Sequence, residues 1–229
     1  MLRHVEARTL IILIAVTGGI WGFVELADEV VEGQTQSFDE RVLLALRNPA
    51  DPADPIGPAW VEEICRDFTA LGGVAVLALA CAAITGLLWL DGKKHWAGLI
   101  VTAMVGGVLL GVGLKSLFDR PRPGLVPHGS NVLTASFPSG HSMMAAVAYL
   151  TAAAMLCRLY DDRRLKVYLI MCALLLTLAI GFSRVYLGVH WPTDVLGGWA
   201  LGAVWALSCW WVAGKLARAP ALEAEAPLS

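Results

Sequence analysis

Three short polar segments interrupt an apolar chain of 229 residues, and together they carry the residue types that phosphoryl transfer requires. They are residues 115–123, 138–141 and 183–194. Cations, histidines and a carboxylate are costly beside a lipid bilayer, so their concentration in three places indicates a functional site. Phosphoryl transfer needs positive charge around the phosphate oxygens, a nucleophile in line with phosphorus, and an acid for the leaving group. The three segments offer all of these.

The first and third segments supply the positive charge. Arg122 and Arg184 carry planar guanidinium groups that match phosphate oxygens, and Lys115 adds a compact charge. Lys115 also ends an apolar segment, where a cation stabilises the carboxyl end of a helix, and this structural role is the alternative for it. Arg120 is an extra cation beside Arg122, and the sequence leaves open whether it contacts a second phosphate or faces water.

The second segment, Pro-Ser-Gly-His at 138–141, has the pattern of a helix start. Ser139 is a favourable N-cap residue, and the free N–H groups of a helix start bind anions. Gly140 has no side chain and lets a phosphate approach the backbone closely. Taken alone, the segment is an ordinary helix cap, but beside the other two segments it indicates a phosphate site.

His190 and Asp194 form the last pair, one helical turn apart, with Pro192 suited to the first turn of a helix. We therefore expect Asp194 to accept a hydrogen bond from one imidazole nitrogen of His190. Such a bond fixes the tautomer and leaves the other nitrogen able to attack phosphorus. The structural alternative is an interfacial histidine satisfied by Asp194, itself a first-turn carboxylate stabilised by the helix dipole.

The composition places these segments in a membrane protein. Hydrophobic residues make up 57% of the chain and charged residues 16%, with a mean hydropathy of +0.66, whereas soluble domains carry about 25% charged residues. The net charge of −2 leaves no basic surplus for nucleic acid. The five cysteines have neither the paired spacing of metal ligands nor the pattern of a disulfide framework.

Apolar segments of about 20 residues predict membrane helices. Six are predicted: residues 9–27, 70–90, 96–114, 141–156, 167–183 and 195–213. The first follows a basic amino terminus but is longer than a signal-peptide core, so a retained helix is favoured over a cleaved signal. Glycines four residues apart predict close contacts between helices, and the two pairs are Gly107 with Gly111 and Gly198 with Gly202.

The connection 28–69 and the chain ends complete the organisation. Residues 38–46 have apolar positions near helical spacing and predict a short amphipathic helix at the membrane surface. A second helix is predicted over 60–68, and a solvated loop without structure is the alternative for the whole connection. Basic residues place both termini in the cytoplasm and the three polar segments on the opposite face. We expect one membrane domain over residues 1–218 and a disordered cytoplasmic tail over 219–229.

The motifs Lys-x6-Arg-Pro, Pro-Ser-Gly-His and Ser-Arg-x5-His-x3-Asp resemble the three-part signature of the type 2 phosphatidic acid phosphatase (PAP2) family. The resemblance implies an all-α bundle of six transmembrane helices, with a core like that of the haloperoxidases of the same superfamily. It also implies that His190 attacks phosphorus to form a phosphohistidine, that Asp194 orients His190, and that His141 protonates the leaving oxygen. Five residues would hold the phosphoryl oxygens: Lys115, Arg122, Ser139, Gly140 and Arg184. No metal or other cofactor is implied.

The sequence thus favours a metal-independent lipid phosphatase at the outer face of a bacterial-type inner membrane. Its substrate would be a membrane lipid phosphate, with undecaprenyl diphosphate favoured and phosphatidylglycerophosphate next. The second interpretation is a lipid phosphotransferase, which passes the phosphoryl group to a lipid hydroxyl instead of water. A vanadate-holding haloperoxidase or a channel fits less well, because the chain spans the membrane and its polar residues lie at helix ends. The sequence carries no signal for the oligomeric state.

Overall fold

The computed structural model describes residues 2–125, 134–158 and 160–216, and most of these residues are helical. Within them the elements are α1 (Leu2–Val31), α2 (Gln36–Ala45), β1 (Arg47–Asn48), β2 (Asp51–Pro55), α3 (Ala59–Leu71), α4 (Val74–Leu90), α5 (Lys94–Phe118), α6 (Gly140–Leu156), α7 (Arg163–Tyr186) and α8 (Pro192–Leu216). The predicted all-α class is confirmed, and the two short strands form a single hairpin. The predicted tail, 219–229, lies outside the described residues.

Four helices are long and apolar enough to cross a membrane: α1 from Thr9 onward, α5, α7 and α8. Their outer faces carry large apolar side chains that the described residues leave exposed, such as Ile14, 63% exposed, and Leu109, 68% exposed. Such surfaces are stable in lipid and costly in water. The chain is therefore a multi-pass membrane protein.

The predicted count of six crossing segments is not confirmed. The segment predicted over 70–90 is divided, because α3 ends at Leu71 and α4 begins at Val74, with a bend of 46° between them. Counted as one broken span, this pair is a fifth candidate, whereas α6 has 17 residues and is shorter than the other candidates. The bend is closely packed, since a Cβ atom on Gly72 would lie 2.6 Å from the Ile180 side chain, which would have to shift to admit it.

The centre of the bundle is α6, which packs against α5, α7 and α8. Its contact with α8 is close because α8 has glycines where the two backbones meet. A Cβ atom on Gly198 would lie 2.6 Å from the Ser139 backbone oxygen, and one on Gly202 would lie 2.4 Å from that of Met143. The close contact predicted for this glycine pair is confirmed.

The connection between α1 and α4 is structured and covers one end of the bundle. The two predicted helices are present as α2 and α3, so the unstructured alternative is wrong. Leu43 of α2 is fully buried against Val185, Trp191 and Val195. The hairpin was not predicted, and it is fastened to the end of α7, because Arg47 donates to the Tyr186 backbone oxygen at 2.7 Å.

The helix ends that carry the polar segments meet at this covered end. The end of α5, the start of α6, the end of α7 and the start of α8 all lie there, because the helices alternate in direction. The hydrogen bonds described below join these four ends directly. Residues that are up to about 80 positions apart in the sequence therefore share one site.

Substituting Gly202 by alanine is expected to destabilise the protein, because the new Cβ meets a backbone oxygen that cannot move away. Overpacking of this kind costs about 1–3 kcal/mol, which thermal unfolding in detergent would show as a lower midpoint. Gly86→Ala is the matched control, since a Cβ on Gly86 of α4 has nothing within 4 Å and alanine favours a helix. Equal midpoints for the two variants would contradict the close α6–α8 contact.

Candidate active site

The start of α6 is a helix cap that is tied to the start of α8. Ser139 is the N-cap of α6, and its Oγ accepts from the backbone N–H and the hydroxyl of Ser142, at 3.5 and 2.9 Å. The Ser139 N–H donates to the backbone oxygen of Asp194 at 2.9 Å. The predicted cap is present, and this contact brings the second and third polar segments side by side.

Lys115 lies beside this helix start. A Cβ atom on Gly140 would be 3.7 Å from Lys115 Cε, so the lysine side chain passes close to the first turn of α6. Its Nζ donates to the backbone oxygens of Ala135 and Ser136. The ammonium group is thus held by uncharged acceptors next to the free N–H groups of a helix start, an arrangement that binds anions.

Arg122 and Arg184 are also held by uncharged oxygens. Arg122 donates from Nε to the Thr134 backbone oxygen at 3.0 Å and from Nη1 to that of Val189 at 2.8 Å. Arg184 donates from Nη1 to the hydroxyl of Thr69 at 2.7 Å, and its buried Nε has no hydrogen-bond partner among the described residues. Because these acceptors carry no charge, the positive charges of both guanidinium groups remain available to an anion.

His190 and Asp194 are in contact in the way that their spacing predicts. His190 Nδ1 lies 3.2 Å from Asp194 Oδ2, and His190 Nε2 lies 3.2 Å from Arg122 Nη1. A carboxylate only accepts and a guanidinium group only donates, so we assign the proton to Nδ1 and the lone pair to Nε2. The nitrogen with the lone pair therefore faces the cation, where a phosphate would be attracted.

Burial keeps His190 neutral. It lowers the pKa of His190 to about 3, and this effect outweighs the hydrogen bond and negative charge of Asp194, which raise the pKa. The positive charges of Arg122 and Arg184 lower the pKa further. A neutral imidazole keeps its nucleophilic lone pair, so His190 is in the reactive form throughout the physiological pH range.

His141 lies in the first turn of α6, partly buried and within the field of the same three cations, Arg184, Arg122 and Lys115. The bend between α3 and α4 packs directly on it. A Cβ atom on Gly72 would lie 3.5 Å from the Cβ of His141. Because Thr69 of α3 also binds Arg184, the α3–α4 bend forms one wall of the site.

Arg120 takes neither position that the sequence left open. It is 8% exposed, so it does not face water, and its terminal nitrogens donate to carboxylate and hydroxyl groups. The carboxylates are Asp194 and Asp39, each at 2.7 Å. Arg120 therefore lies behind the His190–Asp194 pair, bound to the carboxylate oxygen that His190 does not use.

Three residues of this region were not found by sequence reasoning. The Ser136 hydroxyl donates to Asp194 Oδ2 and lies 3.3 Å from His190 Nδ1. Its position two residues before Pro138 was the one feature of the sequence that pointed to a place in the site. Thr69 and Asp39 had no such signal, because their partners are far away in the sequence.

The structure brings all the residues that the sequence indicated to one end of the bundle. The set around the His190 ring and the α6 start consists of Lys115, Arg122, Ser139, Gly140, His141, Arg184, His190 and Asp194. Among the described residues, no group of three or more histidine, cysteine or acidic side chains is arranged to hold a metal ion. The chemistry available there is anion binding by cations beside a neutral, oriented imidazole.

Known proteins resemble this chain over most of its length. The family model described as the PAP2 superfamily matches residues 96–218, which include all three polar segments. Phosphatidylglycerophosphatase B of Bacillus subtilis is 37% identical over 186 residues, covering 79% of this chain and 85% of the relative. Undecaprenyl-diphosphatase BcrC of the same organism is 30% identical over 130 residues, covering 52% and 60%. The crystal structure of a transmembrane PAP2 type phosphatidylglycerolphosphate phosphatase from Bacillus subtilis superposes with a TM-score of 0.77 at 29% identity, covering 89% of this chain and 98% of that one.

The ring of His190 is expected to remain neutral, with the proton on Nδ1, from pH 8 down to about pH 4.5. The nitrogen resonances of ¹⁵N-histidine-labelled protein in detergent measure this, with His190→Gln assigning the signal and the denatured protein titrating near the ordinary value of about 6.5. Because the folded pKa is below the unfolded one, the native state binds fewer protons between the two values. Its stability therefore decreases as the pH falls through that window. A His190 signal that titrates near 6.5 in the folded protein would contradict this description.

Proposed function

The chain belongs to the PAP2 superfamily, and we propose that it hydrolyses a membrane lipid phosphate through a phosphohistidine formed on His190. One observation carries the proposal. The Nε2 atom of a buried, neutral histidine, held by a carboxylate at Nδ1, lies 3.2 Å from a guanidinium group whose other bonds go to uncharged oxygens. This arrangement combines a nucleophile with charge that stabilises a phosphoryl group.

In the first step the Nε2 lone pair attacks phosphorus, and the bond from phosphorus to the lipid oxygen breaks. His141 gives its proton to that oxygen, and the proton on Nδ1 stays with the imidazole, whose new positive charge Asp194 stabilises. In the second step a water molecule attacks phosphorus and returns a proton to His141. The P–N bond breaks, its electron pair returns to Nε2, and phosphate leaves.

The phosphoryl oxygens would be held by the positively charged groups around Nε2. The side chains of Lys115, Arg122 and Arg184 supply positive charge. The oxygen of the Ser139 hydroxyl accepts from Ser142, so its own proton can be donated to a phosphoryl oxygen. Gly140 has no side chain and leaves the first turn of α6 open. An oxygen placed between Arg122 and His190 would take over the hydrogen bond that Nε2 now accepts. The lone pair of Nε2 would then be free to attack phosphorus.

Phosphatidylglycerophosphate is our first candidate substrate, ahead of undecaprenyl diphosphate, which the sequence favoured. Arg120 was the cation offered for a second phosphate, and it is occupied by two buried carboxylates. The remaining cations suit one phosphoryl group. The relative that covers more of this chain, and the superposed structure, are both named for phosphatidylglycerophosphate. BcrC, a relative named for undecaprenyl diphosphate, covers 52% of this chain.

We propose that the protein lies in a bacterial inner membrane, with both termini in the cytoplasm and the site on the outer face. The positive-inside distribution of the loops supports this orientation. We also propose that α6 is a sixth crossing, because its 17 residues would extend about 25 Å inside the bundle, close to the thickness of a bilayer core. The first-loop elements would then lie at the outer surface, where a lipid headgroup reaches the site.

Purified protein in detergent with EDTA is expected to release phosphate from at least one of four lipids. The panel is phosphatidylglycerophosphate, undecaprenyl diphosphate, phosphatidic acid and lipid A 1-phosphate. His190→Ala should lower the rate on the order of 10³-fold or more, since it removes the nucleophile. His95→Ala, an exposed histidine at the opposite end of the bundle, is the matched control and should keep wild-type activity. Release that survives His190→Ala or requires a divalent metal contradicts the proposal. Loss of phosphate from the donor lipid only when an acceptor lipid is added, with the phosphate recovered on that acceptor, indicates a phosphotransferase.

A covalent intermediate is expected to be trapped on His190. Protein quenched in alkali during turnover of a ³²P-labelled lipid should retain label, because the P–N bond survives base, and the label should be lost in acid. His190→Ala should retain none. Label that withstands acid, or that remains in this variant, would show that another group attacks phosphorus.

A further inference from the structure

Behind the His190–Asp194 pair lies a buried chain of alternating charges that reaches into the first loop. Arg120 donates from Nη1 to Asp194 Oδ1 and from Nη2 to Asp39 Oδ2, each at 2.7 Å. Both carboxylate residues are 0% exposed and Arg120 is 8% exposed. The Trp191 ring, 5.7 Å from the guanidinium carbon, helps to cover Arg120. The charges are therefore shielded from water and depend on one another.

Asp39 also fixes the start of α8, although it belongs to α2. Its Oδ1 accepts the backbone N–H of Thr193 at 2.9 Å, and its Oδ2 accepts the Thr193 hydroxyl at 2.6 Å. Thr193 lies in the first turn of α8, where free N–H groups and the helix dipole favour a negative charge. Asp39 thus serves as a distant cap for the helix that carries Asp194.

The two oxygens of Asp194 have separate tasks in this arrangement. Oδ2 accepts from His190 Nδ1, the Ser136 hydroxyl and the Trp191 N–H. Oδ1 is bound to Arg120. A buried carboxylate that loses its cation is more stable in the protonated form. A protonated carboxyl group would no longer hold the proton of Nδ1 in place.

On these contacts, and resting on the function proposed above, we propose that Arg120 and Asp39 are positioning residues of the reaction. Arg120 holds Asp194 ionised and turned so that Oδ2 faces His190. Asp39 fixes the position of Arg120 relative to the first turn of α8. With His190 neutral, the three charges of Asp39, Arg120 and Asp194 sum to −1. When the imidazole is phosphorylated on Nε2 and keeps its Nδ1 proton, its positive charge compensates this net charge of −1. The buried charges therefore stabilise the phosphohistidine intermediate.

Asp39→Asn is expected to lower kcat about 10- to 100-fold, by analogy with the loss seen when the outer partners of metal-binding histidines are removed, and to leave KM within about threefold. The amide keeps the shape of the side chain but loses the charge that holds Arg120. Glu40→Gln, the neighbouring acid on α2, is the matched control and should keep the wild-type kcat. Arg120→Lys keeps one charge but cannot bridge two carboxylates, so its kcat should lie between those of the wild type and Arg120→Gln.

The readout that separates positioning from stability is the Nδ1 proton of His190. In Asp39→Asn its resonance should shift upfield or broaden in protein that still elutes as a folded species. Should this variant not fold, Thr193→Val removes the hydroxyl that donates to Asp39 and accepts from Arg120, and it is expected to show a kcat loss in the same direction but smaller. Wild-type kcat and an unchanged Nδ1 signal in folded Asp39→Asn would overturn the inference. If His190→Ala is inactive at the same time, the proposed function stands, whereas an active His190→Ala defeats the proposed function itself.

Discussion

The negative charge of Asp194 is the constraint on which the arrangement of this end of the bundle depends. A fully buried carboxylate is tolerated only when donors surround it. Here the donors come from several parts of the chain, since the α8 start, the residues before α6 and the segment after α5 each supply one. The backbone oxygen of the same residue accepts the Ser139 N–H. Satisfying one residue therefore fixes the relative positions of α5, α6 and α8.

The three cations near His190 are held differently from Asp194, because their hydrogen-bond partners carry no charge. Arg122, Arg184 and Lys115 are held by backbone or hydroxyl oxygens, so each is well positioned and none is neutralised by the contact. Like charges at such proximity repel one another and lower the stability of the folded state. Active sites commonly retain such unfavourable arrangements because a stabilising substitution would remove the function. Arg120 shows the contrast, because two buried carboxylates, Asp39 and Asp194, compensate its charge.

Local features of the sequence predicted the parts of the structure that depend on neighbouring residues. The Ser139 cap, the His190–Asp194 contact and the α2 helix each follow from residues within a few positions of one another. The role of Arg120 could not be predicted in the same way, because Asp39 is 81 residues away and looks like an ordinary polar residue of an amphipathic helix. The count of six crossing helices is not confirmed, because the segment predicted over 70–90 is broken and α6 is short. Hydropathy reports how apolar a segment is, whereas the 46° bend between α3 and α4 lies where Gly72 packs against Ile180 of another helix, a contact that hydropathy does not report.

The glycine contacts between α6 and α8 also have a mechanical consequence. Because Gly198 and Gly202 bring the α8 backbone against backbone atoms of Ser139 and Met143, a displacement of one helix here requires a displacement of the other. The proposed acid on α6 and the carboxylate on α8 consequently travel as one rigid body, at a fixed spacing. Thr69 and Gly72, which belong to the α3–α4 bend, are by contrast parts of the site wall that lie outside this pair of helices.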